Sequence, residues 1–304
     1  MTDISVIIPT FKRPEGLDRA ARSILRQANP CGLLLELIVV DNDPAASACD
    51  AVRDLADTAP IPVRYVHAAE PGVANARNAG VSAATGEFIA FLDDDEEAPA
   101  SWLCELVGEQ RFHEADVVFG PVRARLPDAI IDHRAYYIQF FSREGPDESG
   151  VIEHYYGCGN SLIRRAALPQ REAPFSAERN DIGGEDDLLF AEMERAGARF
   201  AWCAEAYVFE DPMLSRTRLG YTLRRAFAYG QGPSAACAAA RHLPGIVFWM
   251  GVGAAQFAIY GTAAAALWLV RAPRRARMLD KAVRGLGKLF WGGPFKLRFY
   301  GTAA

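Results

Sequence analysis

Paired spacings of cysteine and histidine are absent from this sequence. Neither the six cysteines nor the five histidines include a C-x-x-C motif or another spacing typical of metal ligands. Zinc sites and disulfide-rich folds are recognised by such spacings. The sequence therefore predicts neither a zinc site nor disulfides, and it indicates a reducing compartment. The cysteines are Cys31, Cys49, Cys104, Cys158, Cys203 and Cys237.

A leader segment, an internal repeat and a low-complexity linker are also lacking. The amino-terminal end opens directly with the strand-like run Ile4–Pro9, so we expect no signal peptide. Of the 304 residues, 50% are hydrophobic, which is enough to bury the core of one large or two smaller domains.

Acidic residues are almost absent from the last third of the chain. Of 38 acidic residues only Asp280 follows Leu214, whereas 14 of the 33 basic residues do. The net charge of -5 therefore conceals an acidic body and a basic tail. Such an asymmetry indicates that the tail meets a nucleic acid or an anionic membrane.

The basic tail also contains a long uncharged run. Ile246–Val270 is 25 residues long, which is enough to span a bilayer, and basic and aromatic residues follow it. A nucleic acid would account for the charges but not for this run. We therefore expect a membrane surface as partner and no nucleic acid; a buried core helix with a solvated charge run is the alternative. A single span would place the more basic flank outside the cytoplasm, so the sequence favours a re-entrant or in-plane helix.

Short apolar strands alternate with helices in the first hundred residues, which predicts a parallel sheet covered on both faces. Ligands bind such sheets beyond the carboxyl ends of the strands. The polar clusters Pro9-Thr10, Asp41-Asn42 and Asp93–Asp95 all follow predicted strands, so we expect them to meet at one edge. Further along, the run Phe200–Phe209 is predicted to be a single strand.

The strand-like run that ends at Leu92 is followed by five consecutive acidic residues, Asp93–Glu97. Carboxylates so close together repel one another unless a cation or polar ligand lies nearby. Mg²⁺ and Mn²⁺ prefer one or two carboxylates together with phosphate oxygens and water. The run therefore predicts a divalent metal site, and the alternative is a solvated turn that caps a helix beginning at Ser101.

Roughly residues 1–215 contain five short motifs: Val6–Thr10, Val39–Asn42, Ala76–Gly80, Phe91–Asp95 and Gly184–Asp186. They occur in the order found in family 2 glycosyltransferases. The chain resembles that family, and its length and tail resemble bacterial exopolysaccharide glycosyltransferases of the succinoglycan type. The resemblance implies an α/β GT-A (Rossmann-like) domain at 1–215, a nucleotide-sugar donor, a divalent metal and inversion at the anomeric carbon. A helical region at 216–304 would then carry the membrane-associating segment 246–270.

The resemblance also implies roles for the residues of the donor site. Pro9 and Thr10 would line the nucleotide pocket, and Asp41 would bind the base, typically uracil. Arg77 would approach the nucleotide or its phosphates, with an exposed position on a helix as the alternative.

The same resemblance implies roles for the aspartates of the acidic run. Asp93 would contact the ribose or the metal, and Asp95 would bind the metal that bridges the diphosphate. Asp94 remains a possible participant because three aspartates leave the register of the D-x-D motif open. Two further pairs, Gly159-Asn160 and Arg224-Arg225, stand where family members contact donor phosphates.

Inverting transfer needs a carboxylate that deprotonates the acceptor hydroxyl. Asp186 resembles the family base, with Glu185 orienting the acceptor or the donor, and capping of the following helix is the plainer alternative. The Q-x-x-R-W signature of processive members is absent because Tyr221–Gln231 contains no tryptophan. We therefore expect addition of single sugars.

The resemblance and the apolar, basic tail together imply a metal-dependent inverting glycosyltransferase at the cytoplasmic face of the inner membrane. It would move one sugar from a UDP-sugar to a lipid-linked saccharide acceptor in exopolysaccharide or cell-surface polysaccharide synthesis. A nucleotidyltransferase is one alternative, but the loop Pro9–Pro14 lacks the glycines which that class needs. The other alternative is a non-catalytic membrane scaffold, against which the presence of Asp95 and Asp186 argues.

Overall fold

The computed structural model describes residues 2–27, 32–180 and 183–297. These residues form two compact units. The first contains the chain up to Arg123 together with Ser142–Asp211, and the second contains Ala124–Phe141 and Pro212–Leu297. The predicted division at residue 215 remains a prediction, and the segment 124–141 belongs to the second unit although it interrupts the first in sequence.

The first unit is built on a mixed sheet in which four neighbouring strands run parallel. The strand order is β3-β2-β1-β4-β9-β6-β10-β8. Each neighbouring pair among the first four strands of this order, β3-β2-β1-β4, is parallel. A smaller sheet has the order β5-β11-β7. The strands are β1 (Ile4–Thr10), β2 (Leu35–Asp41), β3 (Val63–His67), β4 (Phe88–Phe91), β5 (Glu96–Glu97), β6 (Val117–Phe119), β7 (Val122–Ala124), β8 (Gly150–Ile152), β9 (Ser161–Arg164), β10 (Phe200–Trp202) and β11 (Val208–Glu210).

Helices cover both faces of the large sheet, as the apolar strands predict. Alternate residues of β1 pack on opposite sides: Ile4, Val6 and Ile8 join one hydrophobic cluster, and Ile7 joins the other. The first cluster includes side chains of α1, α2 and α4, and the second includes side chains of α3 and α6. The helices of this unit are α1 (Pro14–Leu25), α2 (Cys49–Thr58), α3 (Val73–Ala83), α4 (Trp102–His113) and α6 (Glu185–Arg195).

Two expectations need correction. The run Phe200–Phe209 is not one strand, because β10 ends at Trp202 and β11 begins at Val208 in the other sheet. The expectation of no disulfide is also wrong, since Cys104 is disulfide-bonded. Cysteines far apart in sequence can meet in space, and their spacing does not reveal it.

The second unit consists of helices. It contains α5 (Arg134–Phe141), α7 (Leu219–Ala239), α8 (Leu243–Leu269) and α9 (Arg275–Leu289). Among the described residues, α8 is the one helix whose length and apolar composition would allow it to cross a membrane, and most of it is not buried inside the protein.

Close contact between glycines joins α8 to α9. A Cβ atom at Gly253 would lie 2.6 Å from the carbonyl oxygen of Gly285, so the two backbones nearly touch. Gln256 donates a hydrogen bond to the carbonyl of Lys281 (2.8 Å) and accepts one from the ammonium of Lys288 (3.0 Å). This glutamine, a polar side chain within the uncharged run, therefore ties α8 to the basic helix.

Candidate active site

The three polar clusters predicted to meet do lie at one edge of the large sheet. Thr10 at the end of β1 pairs in register with Asp41 at the end of β2. On the other side of β1, Ile7 pairs with Phe91 at the end of β4, two residues before Asp93. This edge is formed by carboxyl ends of parallel strands, where open α/β sheets bind their ligands.

Asp94 and Asp95 are held by an arginine from the loop after β1. Arg13 donates hydrogen bonds to Asp94 (2.8 Å) and Asp95 (2.6 Å), and Thr10 donates to the other oxygen of Asp94 (2.8 Å). Burial raises the pKa of Asp94 to about 6, although Arg13 opposes the shift. Asp94 therefore uses both carboxylate oxygens within the protein and fixes the loop between β4 and β5.

Arg77 lies at the centre of a second acidic group. This α3 side chain is buried and donates a hydrogen bond to the buried carboxylate of Glu185. Its guanidinium also lies 3.6 Å from Asp93 and 4.0 Å from Asp186. Arg77 is therefore not an exposed residue of a helix; it brings Asp93, Glu185 and Asp186 together around one positive charge.

Burial shapes the protonation of this group. It raises the pKa of Glu185, which Arg77 opposes and Asp186 reinforces. Desolvation likewise raises the pKa of Asp93, again against the effect of Arg77. The pKa of Glu96, which accepts a hydrogen bond from the backbone N–H of Asp93, lies well above its usual range for the same reason. The cluster thus carries more carboxylates than its arginines neutralise.

A second arginine, the partly buried Arg143, supports the loop that faces Asp93. It donates hydrogen bonds to the carbonyls of Gly157 (2.9 Å), Gly120 (3.2 Å) and Gly159. Desolvation lowers the pKa of Arg143, while Glu96 and Asp93 oppose that shift. Arg143 therefore places a positive charge near the acidic cluster.

Asn160 is buried in the protein and is not accessible to the donor phosphates that it was predicted to contact. It is fully buried, accepts a hydrogen bond from the indole of Trp102 (2.7 Å) and donates to the carbonyls of Pro121 and Ala206 (2.8 Å each). The neighbouring Gly159 approaches Asp93 closely, since a Cβ atom there would lie 2.7 Å from the Oδ2 atom of Asp93.

Asp186 lies in the first turn of α6, whose N-cap is Gly184. Its Oδ2 atom accepts a hydrogen bond from the backbone N–H of Cys158 (3.0 Å), and its Oδ1 atom accepts one from Asp187 (3.0 Å). The side chain is 18% exposed. The carboxylate is therefore oriented by two backbone donors and still reaches solvent.

Asp41 is fully buried, and protein groups engage its carboxylate. It accepts hydrogen bonds from the backbone N–H groups of Asp43 (3.0 Å) and Ala48 (2.7 Å) and from the hydroxyl of Tyr65 (3.1 Å). Burial and then Asp41 raise the pKa of Tyr65. Asp41 shapes the loop after β2, and its contact with a base remains a prediction.

The amino-terminal end of α3 is capped by a residue distant in sequence. Asn180 accepts hydrogen bonds from the backbone N–H groups of Ala74 (3.0 Å) and Asn75 (3.3 Å). Asn42 accepts one from the N–H of Gly72 (2.7 Å). These amides fix the helix that carries Arg77.

The two predicted metal ligands each keep one carboxylate oxygen without a protein partner among the described residues. Asp93 meets Arg77 through Oδ1, and Asp95 meets Arg13 through Oδ2, which leaves Asp93 Oδ2 and Asp95 Oδ1. No group of three or more His, Cys, Asp or Glu side chains suited to a metal occurs in the described part of the chain. One or two carboxylates are nevertheless the protein ligands that Mg²⁺ uses when a diphosphate supplies the others, so the residues fit such an ion.

The comparisons with known proteins agree with this arrangement. The model of the family "Glycosyl transferase family 2" matches residues 5–171. Succinoglycan biosynthesis protein ExoM of Rhizobium meliloti is 35% identical over 229 residues, which cover 75% of this chain and 73% of that protein. The chain belongs to glycosyl transferase family 2. It is a glycosyltransferase, which sets aside the nucleotidyltransferase and the non-catalytic scaffold.

Two further relatives place this glycosyltransferase among known proteins. The GalNAc(5)-diNAcBac-PP-undecaprenol beta-1,3-glucosyltransferase of Campylobacter jejuni is 34% identical over 50% of this chain and 46% of that protein. The crystal structure of TarS residues 1–349 from S. aureus superposes with a TM-score of 0.55 at 17% identity, over 94% of this chain and 90% of that one. TarS 1–349 was also solved with UDP-GlcNAc (TM-score 0.53). The likeness confirms the predicted GT-A fold.

Several residues of the site were not predicted from the sequence. Arg13, Arg143 and Asn180 follow no motif, and each acts on partners distant in sequence. The pair Arg224-Arg225 lies on α7 of the second unit, where Arg225 donates a hydrogen bond to the hydroxyl of Tyr229 (2.8 Å).

Proposed function

We propose that this glycosyltransferase uses a divalent metal to transfer one sugar, with inversion, from a UDP-sugar to a lipid-linked saccharide in exopolysaccharide synthesis. The observation that carries the proposal is the grouping of Asp93, Glu185 and Asp186 around Arg77 at the carboxyl edge of the sheet. A base and a site for a metal–diphosphate complex are the two elements that inverting transfer needs.

Asp186 acts as the base. The backbone N–H of Cys158 orients its carboxylate, and its exposed fraction gives access to an acceptor hydroxyl. Deprotonation of that hydroxyl lets the oxygen attack the anomeric carbon as the diphosphate leaves. Glu185, buried against Arg77, keeps the arginine in place beside the base and is a positioning residue.

Asp93 and Asp95 would hold the metal ion through Asp93 Oδ2 and Asp95 Oδ1, the oxygens that face neither Arg77 nor Arg13. When bound, Mg²⁺ or Mn²⁺ neutralises charge on the departing nucleoside diphosphate. The backbone of Gly159 packs closely against one side of the Asp93 carboxylate. This contact limits the movement of the carboxylate and favours a fixed position for the proposed metal ligand. Pro9 and Thr10 stand beside it at the end of β1, where the nucleotide would bind.

The donor and acceptor classes are supported by relatives. TarS, which shares the fold, was crystallised with UDP-GlcNAc, and the Campylobacter enzyme is named for an acceptor linked to undecaprenol through a diphosphate. ExoM, which the chain resembles over most of its length, is a succinoglycan biosynthesis protein. A sugar attached to a lipid is presented at a membrane surface, so the enzyme should act there.

The second unit favours a helix that lies in the membrane plane rather than one that spans the bilayer. Gln256 is the midpoint of α8, and the Lys288 ammonium lies 3.0 Å from its side chain. If α8 spanned a bilayer with α9 packed against it, this charge would lie at the hydrocarbon centre, at a cost of roughly 2.5–3.5 kcal/mol or more. An in-plane α8 keeps its basic neighbours at the headgroups, which fits the cytoplasmic face.

A transfer assay on purified enzyme tests the proposal. The protein is incubated with Mn²⁺, a panel of labelled nucleotide sugars and lipid-extractable acceptor, and label is counted in the lipid phase. We expect transfer from a UDP-sugar that Asp186→Asn lowers by about two to four orders of magnitude, the scale of general-base removal. Donor binding should be unchanged because the substitution keeps the shape of the side chain. Wild-type turnover in Asp186→Asn would show that the base lies elsewhere.

A further inference from the structure

An open cavity of about 730 Å³ lies within the second unit, between α5, α8 and α9. Its volume falls in the range of small-ligand sites. Tyr136 and Gln139 of α5, Val252 and Tyr260 of α8, and Arg277 of α9 are among its lining residues. We call it the α8–α9 cavity, and no residue of the candidate active site lines it.

Three cations of α9 face this cavity. Arg277, Lys281 and Arg284 all line it, and their i, i+4, i+7 spacing places them on one face of the helix. Arg284 is neutralised by Asp280 (2.7 Å), which also accepts a hydrogen bond from the hydroxyl of Tyr136 (3.2 Å).

Two of these charges are not compensated. Within the described part of the chain, neither Arg277 nor Lys281 has a carboxylate within ion-pair distance. The Lys281 ammonium lies 4.9 Å from the centre of the Tyr260 ring, and this cation–π contact holds it at the cavity wall. An arginine and a lysine without acidic partners, directed at one cavity, are complementary to a phosphate group.

An apolar stripe runs along α8 through the lining of the cavity. Val252 and Ala255, which line it, share one helical face with Phe248 and Ile259 at i, i+4, i+7, i+11 spacing. Phe248 is 62% exposed and Ile259 is 64% exposed. A ligand with an anionic head and a long apolar tail would satisfy both the cations and the stripe.

We propose that the α8–α9 cavity binds the diphosphate head of the polyprenol-linked acceptor, with the polyprenyl chain lying along the exposed stripe of α8. Arg277 and Lys281 contact the phosphate oxygens. This proposal rests on the proposed function, because it assigns the lipid part of the acceptor to a site in the second unit. A general attraction to anionic phospholipid would need only surface charge, whereas two cations that line one cavity beside an apolar stripe favour the diphosphate lipid.

Vesicle flotation of the full-length protein tests the site without catalysis. Phosphatidylcholine vesicles carry either polyprenyl diphosphate or phosphatidylglycerol, matched in total surface charge. The test variant is Arg277→Gln/Lys281→Gln. The matched control is Arg218→Gln/Arg274→Gln, which removes two exposed charges that do not line the cavity. A Lys281→Arg variant keeps the positive charge at position 281 and leaves Arg277 in place.

We expect wild type, the control and Lys281→Arg to bind the diphosphate vesicles more tightly than the phosphatidylglycerol vesicles. In the test variant the ratio of the two affinities should fall by about tenfold or more, which is the scale of charged hydrogen bonds. In transfer assays its KM for the lipid acceptor should rise while the KM for the nucleotide sugar stays unchanged. The proposal would be overturned, in favour of general surface attraction, if wild type bound both kinds of vesicle equally. It would also be overturned if the test and control variants lost binding to the diphosphate vesicles equally. If no sugar transfer is found while flotation keeps its pattern, the proposed function fails and the lipid site stands.

Discussion

Replacement of Arg77 by glutamine examines the central ion-pair cluster most directly. Arg77 is buried beside the buried Glu185 carboxylate, and its guanidinium lies 3.6 Å from Asp93 and 4.0 Å from Asp186. Removal of the guanidinium leaves the Glu185 charge buried without a partner and removes a cation from two further carboxylates. Breaking a buried pair in this way costs about 3–5 kcal/mol, because the desolvation of the remaining charge is no longer compensated.

Thermal unfolding of the detergent-solubilised protein measures this loss. For a unit of this size, about 3–5 kcal/mol corresponds to a decrease in Tm of about 6–20 °C. The matched control is Arg53→Gln, which removes an exposed pair with Asp50 at 3.0 Å and should cost about 0.5 kcal/mol or less. A double variant, Arg77→Gln/Glu185→Gln, removes the unpaired charge and should regain much of the Tm but not the transfer activity.

The pH dependence supplies a second criterion for the same variant. Burial holds the pKa of Glu185 above its usual range while Arg77 opposes the shift, so the pKa rises further without Arg77. A carboxyl whose pKa is higher in the folded than in the unfolded protein stabilises the fold at low pH, and loses this contribution as pH rises through the folded pKa. The decrease in Tm should therefore be larger at about pH 8 than at about pH 5. A decrease that matches the Arg53→Gln control, or one independent of pH, would refute this account of the cluster.

Three further predictions concern other parts of the chain. Asp95→Ala should abolish transfer and metal-dependent nucleotide binding while the protein still folds; full activity in this variant or in excess EDTA would contradict the metal assignment. Asn180→Ala should lower the stability of the first unit by about 0.5–2 kcal/mol, since it removes the cap of α3, and an unchanged Tm would contradict this role. A protein ending near Leu243 should be soluble and bind nucleotide but use the lipid-linked acceptor poorly. Release of the full-length protein from membranes by carbonate would instead show that α8 does not insert.

The positions of the predicted site residues follow from strand ends that sequence patterns can locate. Runs such as those of β1 and β4 are mostly apolar and buried, and a polar residue marks the end of each run. Parallel pairing then brings Thr10, Asp41 and Asp93 to one edge of the sheet, independently of the loop conformations. The convergence of the motifs was therefore predictable without knowledge of any contact.

The counter-ions of the site could not be predicted in the same way. Arg77 and Glu185 are 108 residues apart, and Arg143 lies in Ser142-Arg143-Glu144, a pattern typical of a solvated turn. The division of Phe200–Phe209 was missed for a related reason: Cys203–Tyr207 contains neither glycine nor proline, so nothing in the sequence marks the passage between sheets. Such features depend on which surfaces meet, and local patterns do not contain that information.

Two arginines, the buried Arg77 and the partly buried Arg143, explain how the acidic cluster can exist before a donor arrives. Four carboxylates, those of Asp93, Glu96, Glu185 and Asp186, approach one another at an edge where their repulsion would otherwise oppose folding. Arg77 and Arg143 supply positive charge from within the protein, so the cluster does not need the metal in order to form. Metal is therefore expected to control nucleotide binding rather than folding, and chelation should abolish the first while leaving the Tm of the first unit nearly unchanged. A large decrease in Tm on chelation would mean that the ion, rather than the arginines, holds the carboxylates together.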